Sequence, residues 1–252
     1  MDISDKQLKM YSRQIMMKEI GEQGQQKLAE ASVLVVGCGG LGAPVLYYLT
    51  AMGIGHLGLC DGDTVSLSNL NRQILYTADD IGKPKAKTAS KRLSLLNPGL
   101  KTTVYDEPMD ELLANKIIKD FDVVVDCLDN FEARFILNDG CVSAKKPFIH
   151  AGVGEFYGQL MTIIPGKSPC LRCLFPNGIR ANGHISNQVT SEPVSGIIGP
   201  VPGIIGSMQA LEVCKYLLGL PVCNDGLVTY DGLKMNLDKV EIKQSISCIC
   251  VR

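Results

Sequence analysis

The residues of this chain best suited to chemistry are polar positions at the ends of apolar runs: Asp61, Asn69, Arg72, Lys85 and Asp129. They accompany a glycine pattern, Gly37, Gly39 and Gly42, spaced G-x-G-x-x-G after Val33-Leu34-Val35-Val36. In such a pattern the first glycine permits a tight turn, the second lets backbone approach a phosphate, and the third lets helix pack closely on strand. The helix that follows would aim free N–H groups and the positive end of its dipole at an anion. Asp61 lies about twenty residues past the last glycine, where this motif puts an acid on a ribose hydroxyl. The pattern points to a nucleotide without saying which one. The long polar loop from Gly62 to Gln73 presents Asn69 and Arg72 near that nucleotide; a plain surface loop with a solvated arginine is the alternative. Lys83-Pro84-Lys85-Ala86-Lys87 opens a helix, and lysines there oppose the dipole, so the cluster hints at a bound anion. Asp129 follows the strand-like Phe121–Cys127. A carboxylate beside a triphosphate calls for Mg²⁺, whereas capping the next helix is its plainer role.

A second group is sulfur. Cys170 and Cys173 form C-x-x-C, and Cys248 and Cys250 form C-x-C. Four thiolates in two close pairs suit a tetrahedral structural zinc site, with unligated thiols as the alternative. On an extended strand the C-x-C sulfurs would share a face. No His or carboxylate flanks the pairs, which speaks against catalytic zinc. Cys38, Cys60, Cys127, Cys141 and Cys214 sit in apolar runs and read as small core residues.

The elements that must carry these residues alternate between strand and helix. The chain has 252 residues, 46% hydrophobic and 20% charged, enough for one large α/β domain without an evident linker. A net charge of −1 suggests no nucleic-acid surface. No signal peptide or membrane span is expected, so the cysteines are expected reduced in the cytoplasm. Lys6 to Lys27 reads as helix broken at Gly21 and Gly24, with Tyr11, Ile15 and Met16 packing while Arg13 and Gln14 point elsewhere. Strands are expected at Val33–Val36, before Asp61, at Lys101–Tyr105, Phe121–Cys127, Pro147–Ala151 and Gly158–Ile164. Helices are expected after Gly42, from Lys85 to Leu96, at Asp110–Lys119 and at Phe131–Lys145. A loop then spans residues 165–196. Gly203–Leu218 reads as helix with Ile204, Met208, Leu211, Val213 and Leu217 inward, followed by a hairpin of Leu227–Asp231 and Met235–Ile242. The whole is a Rossmann-like, mostly parallel sheet with helices on both faces and a C-terminal antiparallel portion.

Taken in order, GCGGLG, Asp61, SNLNRQ, KPKA, CLDN and CLRC resemble the ThiF/MoeB/HesA family, bacterial relatives of the ubiquitin-activating enzymes. The likeness runs from YSRQI to the terminal cysteines and includes GIIGPVPGIIGSMQALEVCKYLLG. It implies ATP-dependent adenylation of the C-terminal glycine of a small ubiquitin-like sulfur carrier (thiamin or molybdopterin type), with Mg²⁺, in a homodimer. It puts ATP phosphates at Gly39 and Gly40 and the ribose on Asp61. Asn69, Arg72, Gln73 and Lys85 would serve the triphosphate, Asp129 with Asn130 the magnesium end, and Arg13 the neighbouring subunit's site. The resemblance also divides the single adenylation domain into N-terminal helices (1–30), a nucleotide-binding half (31–151) and a carrier-binding half (152–252). The chain departs from the family at C-x-C, which stands for C-x-x-C, and at Glu192, where some sulfur-transferring relatives carry cysteine. Adenylation without a covalent enzyme–carrier step at that loop is therefore expected. The rivals are the same fold acting on a peptide C-terminus or a tRNA base, an NAD-dependent dehydrogenase, and a silent scaffold. A dehydrogenase has no use for Arg72, Lys85 and Asp129 at the phosphate end.

Overall fold

β1 (Ser32–Val36) sits near the middle of the sheet, and its alternation shows why Val33 to Val36 are all apolar. Val33 and Val35 enter one hydrophobic cluster and Leu34 and Val36 the other, because successive side chains face opposite sides. The computed structural model describes residues 4–176 and 196–251. It contains an eight-stranded sheet in the order β3-β2-β1-β4-β5-β6-β7-β8. β2 (His56–Cys60), β3 (Lys101–Tyr105), β4 (Val123–Asp126) and β5 (Phe148–Gly154) join β1 in a parallel set. β6 (Tyr157–Ile163), β7 (Gly226–Asp231) and β8 (Asn236–Glu241) continue it antiparallel. The expected architecture is therefore the one observed. The strand order reverses at β1, between β2 and β4, and a crevice at such a point is where α/β sheets take ligands.

Nine α-helical segments lie among the described residues. α1 (Asp5–Met10), α2 (Ser12–Ile15) and α3 (Gly21–Glu30) precede the sheet. α4 (Gly42–Met52), α5 (Lys85–Leu96) and α9 (Pro200–Leu218) cover one face with Leu46, Leu49, Leu93 and Val213 buried. α6 (Glu111–Ile117) and α7 (Phe131–Ser143) cover the other, where Leu113, Ile117, Phe121, Leu137 and Phe148 form the core. Each such side chain, fully buried, contributes about 1.5–3 kcal/mol. α8 (Leu171–Leu174) is a single short turn in the region read as loop. None of the described helices is long and apolar enough to cross a membrane.

Several local expectations are corrected. The N-terminal helix breaks between Ile15 and Gly21, and Gly24 lies buried inside α3 rather than ending it. Met16 is 77% exposed and does not pack. Gln14 turns inward instead: its Nε2 donates to Gln25 Oε1 at 2.7 Å and to the Met52 carbonyl at 3.1 Å, capping the end of α4. α9 is rotated relative to the expected face, leaving Leu211 56% exposed and Ile204 at the surface while Ile205, Gln209 and Glu212 are buried. Its polar inward residues have partners, Glu212 accepting from the Thr162 hydroxyl at 2.6 Å and the Cys223 N–H at 2.7 Å. Apolar content all around α9 hid its true inner face.

Candidate nucleotide site and cysteine cluster

The turn after β1 is built so that only glycine fits at two of its positions. Gly37 has φ +97°, and a Cβ there would stand 2.4 Å from the Cys127 carbonyl oxygen. A Cβ on Gly42 would meet the Gly37 carbonyl oxygen at 2.0 Å. The first contact seats the turn against the end of β4, and the second brings the start of α4 onto the turn. Gly37, Gly39 and Gly40 then line a cleft of about 870 Å³ together with Asp61, Arg72, Gln73, Lys85, Asp129 and Asn130. Gly42 lies under the turn, outside the lining.

Asp61 leaves the end of β2 and reaches back over the glycine turn. Its Oδ2 accepts the Cys38 N–H at 2.7 Å and its Oδ1 accepts the Asp63 N–H at 2.9 Å. Burial raises its pKa, and these two bonds with Lys85 nearby oppose that rise. Asn69 does not line the cleft. Its side chain accepts the Ser66 N–H at 3.0 Å, and its backbone carbonyl accepts the N–H groups of Arg72 and Gln73. Asn69 thus shapes the turn that delivers those two residues. Arg72 donates from Nη1 to the Ser68 carbonyl at 3.0 Å and to Asn71 Oδ1 at 3.1 Å, and no carboxylate pairs with it among the described residues. Gln73 is buried, and its Oε1 has no hydrogen-bond partner among the described residues.

The lysine cluster resolves into one cleft residue and two others. Lys83 pairs with Asp80 at 3.2 Å and Lys87 with Asp106 at 2.5 Å. Lys85 is 6% exposed, lines the cleft and bonds the exposed Asp63 at 2.8 Å. At the opposite wall Asn130, not Asp129, caps α7: its Oδ1 accepts the Ala133 N–H at 2.9 Å. The Asp129 carboxylate is left exposed, touched by Asn130 Nδ2 at 3.4 Å. Arg13 is exposed on α2 and is not among the residues that line this cleft.

Behind the cleft, and reaching its wall at Arg134, lies a polar network that the motifs did not reveal. Asp126, buried at the end of β4, accepts His150 Nδ1–H at 2.7 Å. Gln159 Nε2 donates to His150 Nε2 at 3.2 Å, which assigns the neutral tautomer with its proton on Nδ1. Burial lowers the His150 pKa despite the Asp126 hydrogen bond. Arg134, on α7, completes the group with Nε 3.5 Å from Asp126 Oδ2. From α9, Gln209 Nε2 donates to the carbonyls of Asp126 at 2.7 Å and Ile149 at 3.1 Å. The available signal was polar residues inside apolar runs: Asp126 in VVVDC, His150 in FIHAG and Gln209 in the mostly apolar α9.

The four cysteines meet. Cys170 and Cys248 sulfurs stand 3.4 Å apart, Cys173 and Cys250 sulfurs 3.5 Å apart, and all four lie within 4.8 Å of one another. A tetrahedral Zn–S₄ set, with bonds of about 2.3 Å, holds sulfurs about 3.8 Å apart, so the donor set fits zinc. Cys248 immediately precedes a 3-10 turn (Ile249–Val251) that carries Cys250, so the C-x-C pair is not on the extended strand expected. The turn itself aims both sulfurs inward. Burial pushes the Cys170 thiol up, and that of Cys250 up to about 11. For Cys248 burial also raises the pKa, but hydrogen bonds from the Cys250 N–H and neighbouring thiols prevail and lower it. The Ser245 N–H donates to Cys173 Sγ at 3.4 Å. Cys38, Cys60, Cys127, Cys141 and Cys214 are buried in the core, as their apolar surroundings imply. Glu192 lies outside the described residues.

Comparison with known proteins agrees with this layout. The ThiF family model matches residues 11–250. The sulfur carrier protein adenylyltransferase of Thermus thermophilus is 39% identical over 249 residues, covering 96% of this chain and 90% of the relative. The SAMP-activating enzyme E1 of Haloferax volcanii is 39% identical, covering 96% and 88%. Adenylyltransferase and sulfurtransferase MOCS3 of Xenopus laevis is 42% identical over 92% of this chain, which spans 51% of that relative's length. Among solved structures, E. coli MccB with ATP superposes with a TM-score of 0.82 at 25% identity, covering 95% of this chain and 73% of the other. E. coli MccB with MccA-N7isoASN gives 0.85 at 24% identity, covering 100% and 76%, and at that identity speaks for the fold alone. With a family model matching residues 11–250 and a 39% identical relative covered over 90% of its length, the chain belongs to the ThiF family.

Proposed function

We propose that this chain is an ATP-dependent adenylyltransferase that activates the C-terminal glycine carboxylate of a small ubiquitin-like sulfur-carrier protein and releases pyrophosphate. The observation that carries the reading is a single cleft whose walls combine the glycine turn, Asp61, Arg72, Lys85 and Asp129. The relatives named above supply the substrate class. In this reading Gly39 and Gly40 receive phosphates and Asp61 the ribose, exchanging the Cys38 and Asp63 amides for hydroxyl donors. Arg72 and Lys85 neutralise the triphosphate; Lys85 must leave Asp63 to do so. Gln73 offers its buried unpaired carbonyl oxygen at the same wall, and Asn69 keeps Arg72 and Gln73 in place. Asp129 and Asn130 hold the magnesium side. Mg²⁺, when bound, shields phosphate charge and favours departure of pyrophosphate.

The attacking carboxylate is ionised at neutral pH and needs no general base, which fits a cleft with no histidine among its described lining residues. Its difficulty is electrostatic, an anion approaching an anion, and preorganised cations are the remedy. Arg13, exposed on α2, is assigned to the cleft of a second subunit in a homodimer, and the halves 31–151 and 152–252 to nucleotide and carrier. The four cysteines are assigned to structural zinc that ties the C-terminal segment to the turn at Cys170. No nucleic acid or membrane enters the scheme, and the proposed setting is the cytoplasm, with the ten cysteines reduced or metal-bound. With Glu192 at the late loop, mass spectrometry of enzyme, carrier and ATP without reductant should find no covalent carrier adduct.

Carrier-dependent ATP–pyrophosphate exchange tests the proposal. A panel of thiamin-type and molybdopterin-type carriers should include one that supports exchange. Exchange driven only by a short peptide would move the substrate to another carboxylate, and NAD binding in preference to ATP would restore the dehydrogenase.

A further inference from the structure

Leu128, the residue before Asp129, is gripped on both sides by one buried ion pair. Its N–H donates to Asp126 Oδ1 at 3.0 Å, and its carbonyl accepts a hydrogen bond from Arg134 Nη2. Asp126 and His150 are fully buried and Arg134 is 4% exposed. The guanidinium also rests over the Phe131 ring, 5.4 Å from its centroid, so its plane is held from a second direction. Asp129 itself has no comparable support. Its carboxylate is exposed and, among the described residues, meets only the long contact from Asn130. The position of that carboxylate is therefore set by the turn that carries it, and the turn is set by Arg134 and Asp126.

A buried ion pair is a poor device for stability alone, since apolar residues of similar volume often serve as well. It is a good device for holding a backbone segment in one place, because guanidinium donors have a fixed fork geometry. A carboxylate that must meet a hard cation and a polyphosphate together needs such placement. We propose that Arg134 is a positioning residue that sets Asp129 for the magnesium–triphosphate complex by clamping the Leu128 carbonyl, with Asp126, His150 and Gln159 locking it from behind. The inference rests on the magnesium role given to Asp129 above.

The test uses the full chain with Mn²⁺ in place of Mg²⁺. Mn²⁺ affinity of the ATP complex is read by electron paramagnetic resonance beside KM for ATP, KM for carrier and kcat. Arg134→Gln should weaken Mn²⁺ about 10- to 100-fold, the usual range for groups that orient a metal ligand, with carrier KM unchanged. Arg134→Lys, which keeps a cation beside Asp126, should recover part of that loss. The Arg134→Gln/Asp129→Asn pair should bind Mn²⁺ no more weakly than Asp129→Asn alone, because both act through one carboxylate. Unchanged Mn²⁺ affinity, additive losses in the pair, or an effect confined to carrier KM would overturn the proposal; the last would make Arg134 a receptor for the substrate carboxylate. Should Arg134→Gln not fold, Arg134→Lys decides alone, full wild-type affinity counting against the clamp. An Asp129→Asn variant with undiminished Mn²⁺ affinity removes the role of Asp129 itself, whatever Arg134 does.

Discussion

The parallel strands and the cysteine end of this molecule are held together by different means. From β3 to β5 the sheet is sandwiched between helices, and every residue of β4 is buried. At the other end β8 has all six residues exposed, and the segment beyond it returns to the fold through the four sulfurs. Where apolar packing is dense, polar residues are free to be spent on ligands: among the described residues Arg72 pairs with no carboxylate and Asp129 has one weak contact. Beyond β8 the four sulfurs are the polarisable groups that meet. Under the proposed function, similar chemistry, charged and nucleophilic side chains in a small volume, means reactivity in one region and architecture in the other.

That contrast predicts opposite phenotypes. Arg72→Ala or Lys85→Ala should lower carrier-dependent pyrophosphate exchange by about 10²–10³-fold with little change in thermal midpoint. Equal losses of activity and stability would erase the distinction. Gly42→Ala, with its Cβ 2.0 Å from the Gly37 carbonyl oxygen, should cost about 3 kcal/mol in a denaturant titration and lose ATP binding, since that turn belongs to both stability and chemistry. Cys173→Ser, or treatment with a zinc chelator, should drop the melting temperature on the order of 5–10 °C while exchange per folded molecule persists. A chelator that abolishes exchange in a still-folded chain would join the two regions.

His150 sharpens the boundary by its pH dependence. Burial lowers its folded pKa below the unfolded value near 6.5. Below that pH the unfolded chain takes up a proton that the folded chain refuses, so stability is complete above about pH 6.5 and falls as the solution is acidified. Urea midpoints between pH 7.5 and 5 should fall less in His150→Gln than in the native protein. The smallest effect is expected at Asp63→Asn. It removes an exposed competitor for Lys85 and should tighten ATP by about two- to fivefold at low salt, less at high salt.

What could be read from the sequence follows the same division. The glycine turn, Asp61 and the apolar strands are local signals, each contained within a few neighbouring residues, and they reappear in place. The four cysteines were legible as two pairs, although the C-x-C geometry depended on a turn that residue type does not announce. Ile204 and Leu211 were misplaced because α9 is apolar on every side, so the inner face was decided by contact with α4 and β5 rather than by period. The Asp126–His150–Gln159–Arg134 group left only isolated polar residues in apolar runs as its signal, for a different reason. Its bonds join strands and helices that a single-chain pattern cannot align, and burial is a property of the assembled sheet. Asn69 shows the converse, a motif residue whose side chain stays within its own turn.

Gln209 has a consequence for the crevice itself. β4 and β5 are paired through only two residue pairs, Val124 with Phe148 and Val125 with Ile149, and then diverge. A sheet that forks inside a protein strands carbonyl groups that would otherwise demand water. One amide from α9 answers two of them at the point of divergence, acting as a surrogate rung between the parting strands. The cleft's flank is, in this sense, a split seam whose innermost stitch is a side chain.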